Sequence, residues 1–369
     1  MPAEGIRVRS NVVKAMRRFF DERGFLEVQT PRLVGLPGQE PYLEPMWTEV
    51  RTPSASPLPL TKGEKEGVFR AALITSPEYA MKRLLAAGFD KIYDLGPCFR
   101  NGEPWDGTHD PEFLMCEWYE KGIGLSEMMD RTEEMVRYVV RACTGPVEAR
   151  AFRSDPPKAD REKALALPPV HSYDWRERPF RRLTVREAMK RYADVDIEPL
   201  LGDREAMAEV CRAHHQTVDD KDTWDDLFFK IFLSEVEPKL GWNDHATDER
   251  LQPTFLYQYP ASMAALAKRD PDDTRYALRT ELYIGNLELC NGFVELSDPV
   301  EQRKRFEEEQ ALRKSLGKET WPIDERFMEA LPKMGEAAGM AFGVDRLAML
   351  IAGTDSISDL MPIPVRERF

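Results

Sequence analysis

The chain lacks the residue patterns that mark zinc, redox and membrane proteins. Its five cysteines (Cys98, Cys116, Cys143, Cys211, Cys290) are odd in number, scattered and contain no C-x-x-C pair. Neither a disulfide framework nor a cysteine zinc site is indicated, and reduced, mostly buried thiols are expected. Histidine is scarce and no H-E-x-x-H occurs; His171, His214, His215 and His245 have no partner spacing and read as surface or helix-packing residues. There is no G-x-x-x-x-G-K-[ST] loop and no G-x-G-x-x-G after a strand, which removes the commonest ATPase and dehydrogenase readings. No run approaches the roughly 18 apolar residues of a membrane span. The first residues, MPAEGIRVRS, form no apolar segment of the secretory kind, so a cytoplasmic protein without a membrane partner is expected.

What is present is an ordinary globular composition, 42% hydrophobic and 32% charged over 369 residues, enough for one large core with an insertion. The net charge of -13 opposes docking along a phosphate backbone and makes a protein acceptor easier to accommodate than a nucleic acid.

Val12, Val13, Met16, Phe19 and Phe20 recur at helical spacing over 10–23, with Ser10 as cap and Gly24 as stop. Phe25 to Gln29 reads as a strand ended by Thr30-Pro31. After Ser76-Pro77 a helix is expected, capped by serine, with proline at its first position, Glu78 in its first turn and Gly88 beyond its end. Strands are expected at 91–95 and 114–119, a hairpin over 279–296 turning on Gly285-Asn286, and a final helix over 345–352 before Gly353. Helices and hairpins are segregated, which favours α+β over a doubly wound sheet. Residues 144–182, rich in proline and charge, read as a surface insertion, and 183–245 as mainly helical.

Three segments remain to carry chemistry: Glu27-Val28-Gln29-Thr30-Pro31; Phe99-Arg100-Asn101-Gly102-Glu103 leading to His109-Asp110-Pro111-Glu112-Phe113; and Gly343-Val344-Asp345-Arg346-Leu347. In this order they resemble motifs 1, 2 and 3 of class II aminoacyl-tRNA synthetases. TSPEYAMKRLL (75–85) and LELCNGFVEL (287–296) narrow the resemblance to the lysyl-tRNA synthetase branch. Within it, the chain is most similar to truncated paralogues that attach lysine or (R)-β-lysine to a lysine of translation elongation factor P. The likeness covers nearly everything except 144–182. It implies a single class II catalytic domain over 1–369, with a mainly antiparallel sheet flanked by helices. It also implies a homodimer built through motif 1, and ATP with Mg2+ as cofactors. Motif 1 begins so early that the anticodon-binding domain of true lysyl-tRNA synthetases has no room before it; tRNA is therefore disfavoured and elongation factor P is the expected acceptor.

The resemblance also implies roles for single residues. Arg100 and Arg346 would be the catalytic arginines, Arg100 beside the α-phosphate and Arg346 at the adenine and γ-phosphate end. Glu103, His109, Asp110, Phe113, Glu288, Leu289 and Gly343 would complete the ATP site. Ser76, Glu78, Glu117, Tyr119, Asn291, Phe293, Glu295 and Ala341 would form the lysine site, with Glu295 reading the side-chain ammonium. Glu281 and Glu288 would share the metal. The chemistry agrees: a fixed guanidinium is worth most where charge grows in the transition state, and buried ammonium groups need carboxylates.

Strand alternation places Met115, Glu117 and Tyr119 on one face and Leu114, Cys116 and Trp118 on the other. A two-residue turn pairs Tyr283 with Glu288 and Leu282 with Leu289, so Glu281 and Glu288 share a face diagonally. Asn291, Phe293 and Glu295 share parity but Glu288 does not, which requires a bulge or bend between Glu288 and Asn291. The family pattern is altered at Gly102, where glutamate is usual, at the loop from Arg100 to His109, one residue longer than usual, and at Asp110, where asparagine is common. Ala341 matches a position where the paralogues carry alanine and lysyl-tRNA synthetases glycine. Competing readings are lysylation of tRNA or a small acceptor, and a catalytically silent paralogue that binds a partner.

Overall fold

The computed structural model describes residues 3–51, 67–144, 178–244 and 251–369. The apolar stripe of the first helix, α1 (Ala3–Asp21), buries Val12, Ala15, Met16, Phe19 and Phe20. Burying each large side chain contributes about 1.5–3 kcal/mol. Phe20 stacks on Tyr93 at 4.8 Å between centroids, which fixes α1 against the main sheet. The helix starts well before Ser10, which lies inside it rather than capping it. Chain reversal at Gly24, with φ of 75°, leads to a strand of only two residues, β1 (Leu26–Glu27). A small sheet follows from β2 (Leu33–Val34), β3 (Met46–Arg51) and β4 (Val68–Leu73), in the order β2-β4-β3.

Next come α2 (Glu78–Ala86), β5 (Lys91–Phe99), β6 (Glu112–Lys121) and α3 (Leu125–Thr144). Pro77 occupies the N-cap of α2 rather than its first turn, and Ser76 Oγ still accepts the Glu78 N–H at 3.0 Å. Of the expected 144–182 insertion, 145–177 lies outside the described residues. Its ends belong to the fold, since α3 runs through Thr144, Phe180 is buried, and Arg181 opens β7 (Arg181–Thr184).

The helical segment contains α4 (Val185–Ala193), α5 (Arg204–Ala213) and α6 (Trp224–Ile231). Capping boxes at Thr184 with Glu187 and Thr223 with Asp226 set the starts of α4 and α6. These helices share a core with Leu256, Tyr259 and Tyr283 of the sheet. His214 packs on this segment, 2.8 Å from Glu235, while His171 and His245 lie outside the described residues.

Strands β8 (Thr254–Pro260), β9 (Tyr276–Ile284) and β10 (Leu287–Val294) precede α7 (Pro299–Ser315) and α8 (Glu325–Met334). The chain continues through β11 (Ala337–Gly343) and α9 (Val344–Ala352), and α9 is not the final helix, because α10 (Val365–Arg368) follows. The main sheet runs β1-β5-β6-β11-β10-β9-β8-β7, antiparallel except at its two margins. The α+β architecture with a mainly antiparallel sheet is thus observed.

Alternation divides the sheet cleanly. Cys116, Trp118, Met340, Phe342, Cys290 and Leu282 join the core with α1, α3 and α9. Glu117, Ala341, Asn291 and Glu281, successive register partners across β6, β11, β10 and β9, occupy the opposite face. All five cysteines are free, and only Cys143 is not fully buried.

Candidate active site

The opposite face of the sheet floors a cleft of about 450 Å³. A wider hollow of about 740 Å³ lies at the α4 margin, lined by Arg186, Lys190 and other ion-paired side chains, and it gathers none of the expected site residues. The cleft gathers Arg100, Glu103, His109, Asp110, Phe113, Glu281, Glu288, Leu289, Asn291, Ala341, Gly343 and Arg346.

The required bulge falls between Glu288 and Cys290. The turn at Gly285-Asn286, both residues near φ 59°, pairs Glu288 with Tyr283 as expected. The expected pairing of Leu282 with Leu289 does not form. The bulge inserts Leu289, Cys290 lies opposite Leu282, and Asn291 opposite Glu281. One extra residue thereby restores Asn291, Phe293 and Glu295 to the face that carries Glu288 and Glu281.

At one end of the cleft, the Arg100 guanidinium sits 5.1 Å from the Phe113 ring centre, and its Nε is buried without a hydrogen-bond partner among the described residues. Arg346 donates to the Glu288 carbonyl at 2.7 Å and to His109 Nε2 at 3.2 Å. Glu103 lies 3.8 Å from the same His109 nitrogen. Asp345 anchors the motif 3 helix, accepting from Arg9 at 2.6 Å and from the Leu114 N–H at 2.8 Å.

Glu281 is already engaged: Tyr259 and Tyr283 donate hydroxyls to one oxygen and Arg279 donates to the other. Glu288 is loosely paired with Arg346, at 3.9 Å, and loss of water together with the Glu281 charge pushes its carboxyl up to about 7 against the pull of Arg346, Arg279 and Arg100. Burial and Glu281 likewise raise Glu237, on the cleft wall, to about 6. Asp110 lies on the cleft lining, and its carboxylate is held by Arg368 of α10.

Behind Asn291 and Ala341 lies a second, closed group. Glu117 accepts from Ser76 Oγ and Tyr119 Oη, both at 2.6 Å. Gly339 leaves the space between Tyr119 and Glu295: a Cβ there would stand 2.2 Å from the Tyr119 ring and 2.8 Å from Glu295 Oε1. Phe293 is the register partner of Gly339 and closes the wall. Lys82, 1% exposed, reaches Glu78 at 2.5 Å and Glu295 at 2.6 Å. That second approach is poorly directed, so neither Glu295 oxygen has a well-formed hydrogen bond among the described residues.

Burial, reinforced by the Glu78 charge, raises both Glu117 and Glu295 to about 8, against the opposing pull of Lys82 on Glu295. Glu78 and Ser76 also border a small hollow containing Glu40, whose carboxyl is raised by burial and by Glu78. Fully ionised, these three carboxyls would outnumber the single lysine by two charges, which a ligand bearing two ammonium groups would offset by displacing their protons. Lys82, Arg279, Glu40, Glu237 and Arg368 were not singled out by sequence. Only Lys82 left a trace there, in the i,i+4 spacing from Glu78.

The chain matches the model of the class II tRNA synthetases (D, K and N) over residues 2–367. It is 36% identical over 360 residues to an elongation factor P–(R)-β-lysine ligase of Proteus mirabilis, covering 97% of this chain and 94% of that protein. The enzymes of the same name from Photorhabdus laumondii and Haemophilus influenzae are 35% and 33% identical, with the same shares covered. The chain therefore belongs to the class II tRNA synthetase family, on the branch of the elongation factor P–(R)-β-lysine ligases.

Proposed function

We propose that this protein activates (R)-β-lysine with ATP and ligates it to a lysine side chain of elongation factor P. The observation that carries this reading is the buried cluster of Glu78, Glu117 and Glu295, in which Lys82 is the one cation among the described residues that pairs with them, beside a cleft with an unpartnered buried arginine nitrogen. The names of the relatives supply the amino acid and the acceptor. ATP use follows from the family.

In the first step the amino-acid carboxylate oxygen bonds to the α-phosphorus, the α–β bridging P–O bond breaks, and pyrophosphate leaves. Arg100 faces the growing phosphate charge, and Arg346 with His109 orients the outer phosphates and the base. Glu295 and Glu117 hold the ammonium groups so that the carboxylate points toward Ala341 and the cleft. In the second step the acceptor amine attacks the acyl carbon, AMP leaves, and the amine gives up a proton. No enzyme nucleophile is needed; positioning and electrostatics carry the catalysis.

Among the described residues no ready cluster of three metal-ligating side chains occurs. Glu288, with its lightly engaged carboxyl, fits the one or two carboxylates that Mg2+ uses when it arrives on substrate phosphates, and Glu281 backs it from the same face. Bound there, Mg2+ would neutralise phosphate charge. A second copy is proposed to pack on the motif 1 side, where Leu26 and Leu33 are exposed.

Among the described residues no helix is long and apolar enough to cross a membrane. Pyrophosphate exchange into ATP tests the activation step. It should depend on (R)-β-lysine, and its absence in folded protein would favour the silent-paralogue reading.

A further inference from the structure

The altered motif 2 residue Asp110 stands where the loop from Arg100 rejoins β6. Its Oδ1 accepts the Glu112 N–H at 3.0 Å, and the next residue, Pro111, accepts the Arg100 N–H on its carbonyl at 3.1 Å. Asp110 is 2% exposed, and a carboxylate so placed needs a countercharge. Arg368 supplies it, gripping both oxygens and reaching Glu112 at 3.3 Å. The same stretch holds the loop twice more. Phe369 stacks on Trp105 at 6.3 Å between centroids, and the Ile357 N–H donates to the Gly107 carbonyl at 2.7 Å.

We propose that Arg368 is a positioning residue for the nucleotide site: through Asp110 it sets the register of Arg100 and the place of the adjoining His109. An asparagine at 110 would satisfy the Glu112 N–H without any cation, whereas the carboxylate makes this chain depend on Arg368. The contact touches only the ATP side of the cleft, so its loss should be felt by ATP and not by the amino acid. The inference rests on Arg100 serving the ATP site, and the control below separates the two.

The test is a double-mutant cycle of Arg368→Met and Asp110→Asn, read by pyrophosphate exchange with ATP and (R)-β-lysine varied in turn. Arg368→Met alone should lower kcat/KM for ATP by about 10- to 100-fold, the scale of small misplacements in an active site, while KM for (R)-β-lysine stays unchanged. In the Asp110→Asn background the same Arg368→Met change should cost less than about twofold, because the neutral amide no longer needs the cation. A purely structural role would lower both substrates' parameters together and melt the protein earlier without that cancellation. An unchanged ATP parameter in Arg368→Met, or equal losses in both backgrounds, overturns the proposal. Arg100→Ala serves as control: if it keeps full exchange, the underlying ATP-site reading fails instead.

Discussion

Replacing Glu295 by glutamine probes the amino-acid site at a fully buried carboxyl. The side chain has no solvent exposure, lies 2.6 Å from Lys82, and lacks a well-directed hydrogen bond on either oxygen among the described residues. Its carboxyl is therefore the least satisfied of the three and the most available to a substrate ammonium, which would favour its ionised form. Glutamine preserves the shape and one acceptor oxygen but removes the charge. A hydrogen bond to a charged group contributes about 1.5–3 kcal/mol, which at about 1.4 kcal/mol per decade gives a roughly 10- to 150-fold rise in KM for (R)-β-lysine. The fold should survive, because Lys82 keeps Glu78 as a partner at 2.5 Å. KM for ATP should hold, since Glu295 lies apart from the residues around Arg100 and Arg346. Pyrophosphate exchange with each substrate varied separately measures both values. Equal losses for the two substrates, or no loss for the amino acid, would refute the assignment of Glu295 as an ammonium reader.

Glu288→Gln should raise the magnesium concentration needed for half-maximal exchange far more than Glu281→Gln, because the Glu281 oxygens are already taken by Tyr259, Tyr283 and Arg279; a metal titration of both variants reads this directly. Glu117 and Glu295 have carboxyls raised to about 8, so the free protein binds more protons than the unfolded chain between the ordinary carboxylate range and that value. It should lose stability as pH rises through this window, and (R)-β-lysine, which favours the ionised carboxylates, should bind more tightly toward pH 8 with release of protons. Calorimetry in buffers of different ionisation enthalpy would show that release, and proton-neutral binding at pH 7 would contradict it. Lys82→Met should destabilise the protein by about 3–5 kcal/mol, the cost of orphaning buried carboxylates, and adding Glu78→Gln should recover much of it in thermal melts.

Much of the site was legible because its residues sit in three local motifs whose spacing survives folding. Parity alone demanded an irregularity between Glu288 and Asn291, and the bulge lies there. The same hairpin shows where local reasoning stops. Turn geometry pairs Leu282 with Leu289, yet the side chains that must face the cleft are dictated by neighbouring strands, and the inserted Leu289 moves Cys290 into that place. Lys82 illustrates the limit differently. Four residues after Glu78, it resembles a solvated helix pair, and only the arrival of Glu295 from β10 turns it into a buried cation. Arg368 is silent for the same reason, since its partner Asp110 lies far back in the chain. The early turns of α1 were missed because they carry little apolar periodicity, although the helix continues through them.

The most direct measurement offers both acceptors at once. The protein is incubated with ATP, Mg2+ and (R)-β-lysine together with elongation factor P and tRNA, followed by intact-mass analysis of the factor and acid-gel analysis of the tRNA. Elongation factor P should gain one β-lysyl unit on a single lysine while the tRNA remains uncharged. Charged tRNA beside an unmodified factor, or no transfer to the factor despite active pyrophosphate exchange, would contradict the proposed ligation.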